Sequence, residues 1–135
     1  MNKILLFGII GGIFAISLST FHILLGLSFA GVLKSLGFYT SAPHSPYAIR
    51  VNHSLIIGNL ILGAIGLPTA IVGIIGSWLG KIKGGMMMII TSSLFVAVFG
   101  YVGILPFVFM FAGGLLAEVK EIYARKAPIT HSNVA

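Results

Sequence analysis

From Ile4 to Leu33 the chain carries no Asp, Glu, Lys or Arg, and that run limits its possible folds more than any other feature. As one helix rising roughly 1.5 Å per residue, the segment from Ile4 to about Leu36 reaches on the order of 50 Å. The hydrocarbon core of a bilayer is only about 30 Å thick. The segment must therefore tilt, bend or extend out of the bilayer, and Gly26 and Gly31 are its candidate bend points. Met1-Asn2-Lys3 has the form of a signal-peptide start, but the run far exceeds the usual stretch of about 7–15 apolar residues, and no small-residue cleavage site closes it. It reads as a retained helix.

Composition extends this to the whole chain. Of 135 residues, 58% are apolar and 7% charged, against roughly 25% charged in ordinary soluble domains. A water-soluble chain of this size cannot hide that much apolar surface. Its apolar faces must meet lipid or the matching faces of neighbouring copies. Length makes it a single domain, 1–135. Eight Lys and Arg stand against two acids, Glu118 and Glu121, a balance that suits anionic lipid head groups or nucleic acid. Without Cys, there are no disulfides, thiolate metal sites or cysteine nucleophiles. Asp and Gln are absent too. Carboxylates protonate in strong acid and amides are thermolabile, so the composition has a hot-acid character.

The expected fold is all-α: four hydrophobic, membrane-type helices over about 4–36, 54–79, 85–102 and 106–126, packed as antiparallel hairpins with Gly-rich faces. A polar loop, 37–53, holds Pro43 and Pro46 with aromatic residues suited to a membrane interface. Asn52 or Ser54 caps the second helix, and Pro68 kinks it. Gly80 to Gly85 forms a basic turn, and 127–135 a small polar tail. Gly100 to Pro106 reads as a tight reversal with Pro106 in the next helix's first turn, or alternatively as a kink that leaves three helices. In the four-helix version, Lys3, Lys81, Lys83, Lys120, Arg125 and Lys126 share one side, with Lys34 and Arg50 opposite. By the positive-inside rule both termini are then cytoplasmic at insertion.

Small residues recur one helical turn apart: Gly8/Gly12, Gly11/Ala15/Ser19, Gly66/Ala70, Gly73/Ser77, Gly76/Gly80, Ser93/Ala97 and Gly113/Ala117. Each set makes a groove that a neighbouring helix can enter. Grooves on every segment point to contacts between copies or subunits as well as within the chain. Asn59 and His22 are the polar residues expected at membrane depth, but a transport path needs acids or several paired groups. Asn59 is expected to bond a neighbouring helix, and His22 to lie near the wetter end of its segment. His44 and His53 flank the polar loop without the spacing or partners of a metal site. Asn52-His53-Ser54 matches a glycosylation triplet, though a helix cap explains it as well. The Met86-Met87-Met88 run is apolar filling. No nucleophile, base and acid can be assembled and no phosphate loop is present, so neither catalysis nor a cofactor is expected.

Two resemblances follow. Ile-Val-Gly-Ile-Ile-Gly at 71–76, Lys81-Ile82-Lys83-Gly84, Ile104-Leu105-Pro106 and Ala112-Gly113-Gly114-Leu115-Leu116-Ala117 resemble an uncharacterised family of small four-span bacterial membrane proteins, which implies no function. The profile as a whole resembles the hydrophobic major coat proteins of archaeal spindle-shaped viruses in size, Gly-rich apolar helices, basic balance and hot-acid composition. That resemblance implies a self-assembling homo-oligomer, inserted in the host cell membrane and then built, as a helical assembly, into a virion around double-stranded DNA bound without sequence preference. The alternative is an accessory subunit of a respiratory or transport complex.

Overall fold

The structure, a computed structural model, describes the backbone of residues 2–35 and 46–126 and the side chains of 2–31 and 54–126. The tail 127–135, His44, and the side chains of Lys34, Arg50, Asn52 and His53 lie outside the described residues. The fold is all-α. Helix α1 spans Lys3–Ser35, α2 Pro46–Leu79, α3 Ile82–Phe99 and α4 Ile104–Lys126, with a 3₁₀ turn over Gly100–Gly103.

Local signals explain the ends. Asn2 caps α1: its side-chain oxygen accepts the Ile4 N–H at 3.2 Å and its carbonyl accepts the Leu6 N–H at 3.0 Å. Helix α2 begins at Pro46, earlier than the expected start near Ser54. Proline breaks a helix interior but fits the first turn, where its missing N–H is not needed, so Pro46 opens the helix instead of prolonging the loop. Pro68 sits inside the same helix without ending it. At the far end Gly80 turns left-handed, φ +56°, while its N–H still bonds the Gly76 carbonyl at 3.2 Å.

Three helical stretches, Lys3–Gly31, Ser54–Leu79 and Ile82–Lys126, are long and apolar enough to cross a membrane. This corrects the expectation of four separate membrane-type helices: α3 and α4 are the two halves of one helical stretch, because the turn between them is itself helical. That stretch folds back on itself. Gly100 takes φ 59° and ψ −134°, a conformation open almost only to glycine. A Cβ at Gly103 would strike the Phe95 carbonyl, so the returning chain lies directly on α3. Further along, Gly85 faces Gly114, and Gly113 faces Met88.

The other contacts close a ring. Gly8 meets Ser77, Gly12 meets Ile74 and Gly63 meets Ile23, which runs α1 antiparallel to α2. Gly76 packs on Gly84, joining α2 to α3. Gly11 packs on Met110, and the Phe14 and Phe109 rings stack at 5.8 Å, joining α1 to α4. Ala15, Ala70, Phe95, Phe99 and Met110 form the centre, with Ile4, Met88 and Ala117 as a second cluster towards one end.

The outside is more apolar than a soluble protein tolerates. Between 22% and 33% of the most apolar window of each stretch is buried, while Phe21, Ile61, Ile75, Ile90 and Val108 stand exposed. Such a surface is of membrane type.

Candidate polyanion-facing surface

The inner contacts bring three separated pieces of chain to one end of the ring. Ile4 of the first α1 turn is buried with Met88 and Ala117. Ser77, at the end of α2, lies on Gly8. Gly85, at the start of α3, lies on Ala117 and Glu118. Lys3, Lys81, Lys83 and Lys120 therefore gather at this end, and all four are exposed. Arg125 and Lys126, also exposed, continue from it on the last turns of α4.

Both acids of the chain are here too. Glu121 lies 3.6 Å from the Arg125 Nε, one helical turn away. At this exposure such a pair contributes about 0.5 kcal/mol at most, so it orders the helix end more than it stabilises the fold. Six cations against two carboxylates leave the end strongly positive.

Sequence reasoning passed over the aromatic residues of this end. Trp78 is 76% exposed and Tyr123 71%, and amphipathic rings of this kind settle at the head-group level of a bilayer. Trp78 also walls an open cleft of about 310 Å³ with Asn2, Leu5 and Ser77. The legible signal was position, since Trp78 precedes Lys81 by less than one helical turn.

The small residues named for packing lie mostly inside the ring. A Cβ on Gly8 would meet Ser77, on Gly12 Ile74, on Gly66 Ser19 and the Phe99 ring, on Gly73 Met110, on Gly76 the Gly84 carbonyl and on Gly113 Met88. Ala70 and Ala117 are buried. Gly80 is different: it forms the turn and touches no other helix closely. The grooves that pointed to contacts between copies are thus filled from within the chain. Ser93 and Ala97 are the exception, facing outward on α3.

Asn59 does not reach across to another helix. Its amide donates to the Leu55 carbonyl of its own helix at 2.8 Å, because a short amide side chain finds its nearest acceptor one turn back. The buried hydroxyls behave alike: Ser19 bonds Ala15, Ser77 bonds Ile74, Thr91 bonds Met87 and Ser92 bonds Ile89. His22 Nδ1 lies 2.9 Å from the Leu18 carbonyl and so carries the proton, with the ring edge-on to Phe99 at 5.1 Å. Among the described residues, no three His, Asp or Glu stand close enough to share a metal, and no buried side-chain nitrogen or oxygen lacks a partner. The chemistry of this surface is that of fixed positive charge beside interfacial aromatics. No family model, no curated protein and no solved structure matches the chain.

Proposed function

We propose that the chain is a non-enzymatic structural protein of a membrane, held by its apolar helices and presenting its basic end to a polyanionic surface on the cytoplasmic side. The observation that carries this reading is the gathering of Lys3, Lys81, Lys83 and Lys120 at one end, continued by Arg125 and Lys126, beside Trp78 and Tyr123. Anionic head groups are the first such surface, and each cation close to them contributes about 1 kcal/mol. The test is spin-labelled lipid in reconstituted protein. Phosphatidylserine should be immobilised in preference to phosphatidylcholine, and the preference should fall with salt and with Lys81→Gln/Lys83→Gln. Equal immobilisation of the two lipids would refute the reading.

The end of α4 favours a second reading of the same face. Beyond Glu118 it carries Lys120, Arg125 and Lys126 together with the exposed apolar residues Val119, Ile122 and Tyr123, a short arm for a larger polyanion. In this reading the chain is a self-assembling coat protein, inserted in the host membrane before assembly around DNA, as its resemblance to spindle-shaped virus coats implies. Electron microscopy of gently purified native material, with and without nuclease, decides it. Regular tubes or shells of this chain around nuclease-protected DNA support the coat. A compact particle with other polypeptides in fixed ratio supports the accessory subunit instead.

A further inference from the structure

The two hairpins are of unequal height. At the basic end the start of α1, the end of α2, the start of α3 and Ala117 of α4 stand level, as the contacts of Ile4, Ser77, Gly85 and Ala117 require, and α4 runs on to Lys126. At the other end they do not finish level. The α3–α4 tip reaches His22 on α1, whose ring meets Phe99, and Gly66 on α2, where a Cβ would lie 2.7 Å from the same ring. Beyond the tip α1 and α2 continue as a pair, with Gly26 seated on Leu60 and a Cβ there 3.2 Å from the Ile56 carbonyl.

Residue counts give the step. The apolar part of α1 runs on from Ile23 to Gly31 and that of α2 from Ser54 to Ile61, in each case about 12–14 Å. Helix α3, Ile82–Phe99, is about 27 Å tall, close to a hydrocarbon core of about 30 Å. The apolar stretch of α2, Ser54–Leu79, is about 39 Å tall.

The pair beyond the tip has the surface of a lipid-covered element. Leu24, Leu27, Phe29, Leu55, Ile57 and Ile61 are exposed there, spread over wide arcs of both helices where a docked helix would need one stripe. Neither Ile23–Gly31 nor Ser54–Ile61 holds a charged residue. Asn59, the one amide on it, is bonded back to its own helix, as backbone and side-chain polar groups must be where no water reaches.

We propose that the lipid-facing surface is a hydrophobic step, and that the occupant of the pair beyond the tip is lipid acyl chain. The bilayer stands up to about 12 Å taller against the α1–α2 hairpin than against the α3–α4 hairpin, before any tilt. Such a molecule thickens the membrane on one flank only, and it belongs where a thick membrane meets a thin or curved one. The proposal rests on the membrane-embedded reading and is independent of what the basic end binds.

The test uses the full chain in dioleoylphosphatidylcholine vesicles doped with phosphatidylcholine brominated near the head group or near the chain end. In a Trp78→Phe background, one tryptophan is placed at Ile90, Leu27 or Tyr101. Ile90, mid-height on α3 and exposed, reports insertion. The expected result is that Leu27→Trp loses its emission to bromolipid as strongly as Ile90→Trp and resists aqueous iodide, while Tyr101→Trp is quenched best by bromine near the head group. If Leu27→Trp yields to iodide, the pair stands in water and the step is wrong. If it is shielded from both quenchers, protein covers it, a second copy included, and the step is again wrong. Quenching of Tyr101→Trp best by chain-end bromine would mean one uniform slab and overturn the proposal as well. Failure of Ile90→Trp to be quenched removes the membrane reading itself, so the two failures are distinguishable.

Discussion

Replacing Gly85 by Ala should cost stability that the same change at Gly58 does not. A Cβ at Gly85 would lie 2.8 Å from the Gly114 carbonyl oxygen, 3.2 Å from the Ala117 Cβ and 3.2 Å from the Glu118 Cγ, whereas a Cβ at Gly58 meets nothing within 4 Å. The nearest atom at Gly85 is backbone and cannot swing aside, so α3 and α4 must separate by about half an ångström to restore an ordinary contact. A gap of that size forfeits a quarter or more of the dispersion well at each contact along the seam, and forced expansion of a packed interface costs about 1–3 kcal/mol. Both substitutions share the helix-propensity gain of Gly→Ala, about 1 kcal/mol. The difference between the two variants therefore isolates the clash. The expected outcome is Gly58→Ala unchanged or stabilised and Gly85→Ala less stable than it by about 1–3 kcal/mol, read from reversible unfolding in mixed micelles followed by far-UV circular dichroism. If the two variants unfold together, α3 and α4 do not pack at Gly85 and Gly114, and the folded-back form of the third stretch is wrong.

Other expectations follow from single contacts. Gly100→Ala places a side chain at φ 59°, ψ −134° and should cost about 1–3 kcal/mol in the same assay, though a Cβ there has open space around it. Asn59→Leu should leave stability within about 0.5 kcal/mol, because the amide bonds only its own Leu55 carbonyl. Loss of helix packing in that variant would mean a cross-helix bond exists after all. Glu121→Gln removes one exposed ion pair with Arg125, so a change above about 1 kcal/mol would be unexpected.

What the sequence made legible was the solvent. Charge-free runs such as Ile4–Leu33 and the scarcity of acids pointed to helices of membrane type, since an unbroken apolar run of that length spans lipid as a helix that satisfies its own backbone. Lys3, Lys81, Lys83 and Lys120 gather at one end of the ring, and their signal in the sequence was their position at the ends of apolar runs. Less was legible where one residue type serves opposite ends. Pro46 read as a loop residue yet opens α2, and a proline's meaning depends on whether its N–H would have been used. Gly80 and Gly76 read as one groove, but Gly76 packs on Gly84 while Gly80 turns the chain. Equal spacing does not distinguish a packed glycine from a turning one. In the sequence a reversal over Gly100 to Pro106 outweighs a kink because each half alone is close to a membrane span; that the turn itself keeps helical bonding over Gly100–Gly103 was not legible, since local sequence does not record it.

The interior differs little from the exterior in polarity: a few large side chains, Phe95, Phe99, Met88 and Met110, fill its centre, and glycines line the seams where helices meet. Gly8, Gly11, Gly73, Gly84 and Gly113 face inward, while Ile75, Ile90, Leu94 and Val108 face out. In lipid that arrangement is expected, since large apolar groups gain nothing by leaving the bilayer and only close packing rewards helix contact. The few inward polar groups, Ser19, Ser77, Thr91 and Ser92, bond backward along their own helices and offer nothing across the ring. Among the described residues, no buried side-chain nitrogen or oxygen is left without a partner. The described residues offer a partner their apolar flanks, where height and shape are read, and the basic end, where charge is. A substitution that enlarges an inner glycine should therefore lower stability in micelles. Neutralising Lys81 or Lys83, both exposed, should leave unfolding unchanged and act on the proposed preference for anionic lipid.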